Sequence, residues 1–68
     1  MIHVVVILWQ GCVEDIAAFN QESGATKFFG QETHVPWEEY TKRRCEKEDA
    51  ETILGDYAGT NIWELNIQ

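Results

Sequence analysis

Apolar residues are densest at the start of the chain. Ile2 to Trp9 reads IHVVVILW, a run too short for a stable helix and dominated by β-branched and aromatic side chains, which predicts a strand. Gln10-Gly11 interrupts it, and Gly11 suits the positive φ of a two-residue hairpin turn, so Cys12 to Phe19 reads as the return strand. Such a turn sets Trp9 opposite Cys12, Leu8 opposite Val13, Ile7 opposite Glu14 and Val5 opposite Ile16. One face of the hairpin then carries Ile2, Val4, Val6, Leu8, Val13, Ala17 and Phe19, and the other carries Val5, Ile7, Trp9, Cys12, Ile16 and Ala18. Asp15 intrudes on the first face, which points to a bulge that shifts this register or to a peripheral second strand. The first strand is apolar on both sides, the pattern of a central strand covered on both faces.

After the hairpin the period changes. Asn20 is a candidate cap, and Ala25, Phe28, Phe29 and Glu32 recur at helical spacing, predicting a helix over about 21–32 that Gly24 and Gly30 weaken. Pro36 suits the first turn of a second helix, where its missing N–H has no intrahelical acceptor. Trp37, Tyr40, Thr41, Arg44 and Cys45 share one stripe of it. The acids Glu38 and Glu39 sit in its first turn and bases follow, the order the helix dipole favours. The stripe dissolves at Glu46-Lys47-Glu48-Asp49, so this helix ends near Glu48 or runs on to Leu54. GDYAG, at 55–59, reads as a connector, and Asn61 to Ile67 as a last strand with Trp63, Leu65 and Ile67 on its apolar face. That face makes Trp63 a core candidate, whereas Trp9 at the hairpin tip is the candidate for exposed contact.

These elements predict one α+β domain over residues 1–68, ββααβ, with two helices on one sheet face and strand order 2-1-3. Two antiparallel helices would bring the last strand parallel to the first, and a single long helix would bring it antiparallel. Helices on one side leave the other face bare, and a contiguous apolar patch marks an interface. The interface candidates are Val5, Ile7, Trp9, Cys12, Ile16 and Ala18, and the expected partner is a second copy of the chain or another protein. A homodimer would add burial that 68 residues have difficulty supplying alone.

Charge narrows the partners. Twelve acids against five bases leave a net charge of −7, which disfavours nucleic acid. Lys42, Arg43, Arg44 and Lys47 are interleaved with acids as on a solvated helix face. The longest apolar stretch is far short of the ~20 residues that span a bilayer, so no membrane partner is expected. The chain start lacks the features of a secretory signal, and the two cysteines, Cys12 and Cys45, are read as small buried or half-buried hydrophobes, so the expected compartment is the cytoplasm.

Candidate chemistry is sparse. His3, Cys12, His34 and Cys45 are the whole set of soft ligands, without the close-paired spacing of a zinc site, so no metal or cofactor is expected. No nucleophile is paired with a base, no phosphate loop is present, and the acids do not form a catalytic pair. His34, Trp37 and Tyr40 gather at the start of the second helix as a possible recognition patch. The resulting expectation is a small non-catalytic cytoplasmic interaction or accessory protein, homodimeric through an apolar sheet face. An acidic nucleic-acid mimic that inhibits a DNA- or RNA-binding protein is the first alternative. A small-ligand regulatory domain, with a pocket between helices and sheet lined by Phe28, Trp37 and Tyr40, is the second.

Overall fold

A computed structural model describes residues 1–66. The chain forms β1 (Ile2–Trp9), β2 (Cys12–Phe19), α1 (Glu22–Thr33), α2 (Trp37–Cys45), α3 (Ala50–Leu54), a 3₁₀ turn (Gly55–Tyr57) and β3 (Asn61–Leu65). Its three strands form one sheet in the order β2-β1-β3. The expected ββααβ arrangement is present, with β1 in the centre. Gln10 and Gly11 both have positive φ, 52° and 83°, the signature of a type I′ hairpin turn whose twist matches that of the strands it joins.

The hairpin register departs from the expected one after two pairs. Trp9↔Cys12 and Leu8↔Val13 hold, but Ile7 pairs with Asp15 rather than Glu14, and the shift carries on through Val6↔Ile16, Val5↔Ala17, Val4↔Ala18 and His3↔Phe19. Glu14 is the extra residue of a bulge, and Asp15 stays exposed at the sheet edge, its carboxylate accepting from the Ile16 N–H at 2.9 Å. The oddity at Asp15 therefore resolves as a bulge. A one-residue slip exchanges the faces of a strand, so the bulge reassigns the lower half of β2 relative to β1.

The helices lie over the face that carries His3, Val5 and Ile7. Val5, Ile7, Ala25, Phe29, Tyr40, Ile53 and Leu54 form the buried core, with Phe19, Phe28, Val35, Trp37, Tyr57 and Ile62 packed around it. Aromatic edges hold the helices to one another: the ring of Phe29 lies 4.8 Å from that of Trp37 and 5.4 Å from that of Tyr40. Gly24 lets α1 pack closely against Phe19. A Cβ there would stand 3.0 Å from Cδ2 of Phe19, the side chain through which the end of β2 meets the helix. The predicted Asn20 cap is absent. Gln21 occupies the cap position without a side-chain hydrogen bond, and His34 ends the helix in the left-handed conformation at φ 63°.

The second helical stretch neither stops near Glu48 nor runs unbroken to Leu54. It breaks after Cys45, where Lys47 takes a left-handed φ of 65°, and α3 starts anew at Ala50. Arg43 spans the break, donating from Nε to Oε2 of Glu48 at 2.8 Å. A third segment changes the parity of the connection: two return the chain to the end of the sheet it left, whereas three deliver it to the opposite end. Accordingly β3 runs antiparallel to β1, with Asn61 opposite Val6 and Leu65 opposite Ile2.

The segment read as a connector fastens that end. Gln10 N–H donates to the Asp56 carbonyl at 2.7 Å, Trp9 meets Tyr57 edge-on at 5.0 Å, and Leu8 N–H donates to the Thr60 hydroxyl at 2.8 Å. Thr60 is fully buried, and its side chain continues the pairing of β1 one step beyond β3.

Candidate interaction surface

The face of β1 opposite the helices carries Ile2, Val4, Val6 and Leu8. Pairing adds Val13, Ile16 and Ala18 from β2 and Asn61, Trp63 and Leu65 from β3, because directly opposed residues project to the same side. Helices cover none of it among the described residues. Val13, Ile16, Trp63 and Leu65 are 60%, 61%, 56% and 51% exposed, and the β1 residues between them are half-buried by their neighbours. None of the residues that pairing puts on this face is charged, in a chain with a net charge of −7.

This corrects the expected interface in part. Ile16 and Ala18 are on the open face, but Val5 and Ile7 are core residues at 0% and 1% exposure. The regular register tied Val5 to Ile16; the bulge at Glu14 separates them and joins Ile16 to Val6 instead. Trp9 and Cys12 pair at the hairpin tip, both exposed, on the covered side beyond the reach of the helices. For Trp63 the correction runs the other way: alternation along the last strand predicts a core residue, but the core-facing residue of β3 is Ile62, and Ile67 lies outside the described residues.

The His34, Trp37 and Tyr40 cluster is divided in the same way. Tyr40 is buried, Trp37 is half-buried against Phe29, and His34 is exposed. His34 and Trp37 line a shallow groove between α1 and α2 together with Lys27, Gln31, Glu38 and Thr41. Neither Tyr40 nor Phe28 lines it, so the residues of the small-ligand alternative do not share this groove.

The remaining polar chemistry is dispersed. Among the described residues no three His, Cys, Asp or Glu side chains come together as a metal-binding group. Cys12, the first residue of β2, and Cys45, the last of α2, are both free and exposed rather than buried. His3 is buried with Nδ1 lacking a hydrogen-bond partner, 3.9 Å from Oε1 of Glu64. Among the described residues, Arg43 and Glu48 have displaced titration. Their hydrogen bond raises the guanidinium pKa and lowers that of the carboxylate. The pair lies on the outer surface and braces the α2–α3 break.

Among the described residues no helix is long and apolar enough to cross a membrane. No family model, curated protein or solved structure matches this chain.

Proposed function

We propose that this chain is a small non-catalytic interaction protein of the cytoplasm whose contact surface is the open sheet face. One observation carries the reading: a sheet face whose strand-paired residues are all uncharged, exposing Ile16, Trp63 and Leu65 on an otherwise acidic chain. Large apolar side chains gathered on one side of a monomer are costly to leave in water, and their burial by a partner is the usual reason they stand together. The absence of charge on the face favours an apolar protein partner over the basic groove that a nucleic-acid mimic would occupy. Two exposed free thiols accord with a reducing compartment.

Affinity capture with the intact chain and with Trp63→Glu tests the reading. The variant is expected to keep its thermal midpoint, because Trp63 projects away from the core, and to lose the bound protein. Retention of the same bound protein by the folded variant would overturn the reading.

A further inference from the structure

We propose that the occupant of the open sheet face is a second copy of this chain, packed face to face about a two-fold axis running along β1, with Trp63 of each copy seated over Ala18 of the other. The proposal rests on the reading of this face as the contact surface and names its partner.

Charge is the first argument. Every copy carries −7, so two copies repel over most of their surface, and the face whose strand-paired residues are all uncharged is where they can approach with the fewest opposed like charges. Shape is the second. Val4 pairs with Ala18 on one side and with Trp63 on the other, so one row across the sheet reads small, medium, large. Neighbouring strands stand ~4.8 Å apart and stacked sheets ~10 Å apart. A two-fold along the central strand exchanges the β2 and β3 sides, so the indole of one copy descends onto the alanine of the other, twice. The next row behaves alike: Val6 is flanked by exposed Ile16 and by Asn61, whose side-chain oxygen is turned to its own backbone, accepting from Ile62 N–H at 2.9 Å. A two-fold across the strands would instead stack β3 on β3 and bring the two Trp63 columns together. Aligned sheet-on-sheet packing follows from the chosen axis.

The face, about 14 Å across the strands by about 25 Å along β1, is small beside a standard interface, so a weak, concentration-dependent dimer is expected.

Sedimentation equilibrium from low micromolar to millimolar concentration, with circular dichroism as the folding control, tests the proposal. The intact chain is expected to dimerise. Trp63→Glu and Ala18→Lys are each expected to weaken self-association by ~30-fold or more. An equal mixture of the two variants should regain a dimer, because one of its two contacts pairs the introduced acid with the introduced base and the other is native. Ile16→Lys is an independent disruption should either variant lose its fold. A chain that stays monomeric at millimolar concentration, while Trp63→Glu still abolishes capture of another protein, overturns self-pairing and leaves the contact-surface reading standing. A dimer that survives Trp63→Glu overturns self-pairing through this face, leaving the contact-surface reading to the capture experiment, and variants that fail to complement one another overturn the axis.

Discussion

The two faces of β1 are built from nearly the same residues and have different fates. Val5 and Ile7 are buried under α1 and its neighbours, while Val4 and Val6, one position away, lie half-buried in an open face. The difference is not hydrophobicity. It is supply: the helical segments between β2 and β3 suffice to cover one side of a three-stranded sheet and no more. An apolar strand therefore reports that both its sides seek cover, without reporting whether the chain itself provides it.

The sharpest way to break this comparison is to truncate one large aromatic on each side. Phe29→Ala, in the covered layer, should cost roughly 3–5 kcal/mol, enough to unfold much of a small domain, and chemical denaturation would read it directly. Trp63→Ala, on the open layer, should shift the stability of the isolated monomer by no more than about 0.5 kcal/mol at high dilution. Equal losses would mean that the open face is packed after all.

A smaller effect is expected where the covered layer meets the end of β3. Thr60→Val keeps the shape but removes the acceptor of Leu8 N–H, leaving a half-buried donor unpaired beside fully buried Thr60, and should cost roughly 1–2 kcal/mol. His3 should respond in the opposite direction. Its Nδ1 is buried without a partner, so His3→Leu is expected to stabilise the fold by about 1 kcal/mol, seen as a higher thermal midpoint. A fall instead would show that the imidazole is held by an interaction with Glu64.

The smallest effect belongs to the surface brace at the α2–α3 break. Hydrogen bonding to Arg43 holds the Glu48 carboxyl below its ordinary value of 4.5, so its contribution to stability is fully present above that value and is lost as pH falls through the lowered one. Both groups are solvent-accessible, so the change is slight. Thermal melts of the intact chain and of Glu48→Gln should differ near neutral pH and converge in acid.

Much of the fold was legible locally. The hairpin followed from a β-rich run ended by a glycine at a turn, and the central place of β1 from its lack of polar alternation. The first helix followed from the spacing of Ala25 and Phe29. Three features were not. The bulge at Glu14 was visible only as the misplaced Asp15, since nothing near it distinguishes an inserted residue from a register error. The break after Cys45 depends on Lys47 adopting a left-handed backbone, a conformation that its side chain does not advertise. Trp63 misled because alternation along a strand separates two sets of residues without saying which set faces the helices.

The candidate site shows the same division. Strand alternation groups Ile16 with Ala18, but the regular register sets them beside Val5 and Ile7; the bulge moves them to the open face, and Leu65 and Trp63 join them only through the pairing of β3 with β1. Their grouping depends on residues nearly fifty positions apart in sequence.

The sequence by itself determined the elements, the acidic surface and the excess of apolar sheet, because turn geometry, side-chain period and charge are properties of neighbouring residues. Only the tertiary structure decided the direction of β3, the face that the helices cover and the residues left bare. The direction of β3 follows from the break between α2 and α3, the place of Ile16 and Ala18 from the bulge in β2, and the covered face from where the helices pack, all of which depend on residues far apart in the chain.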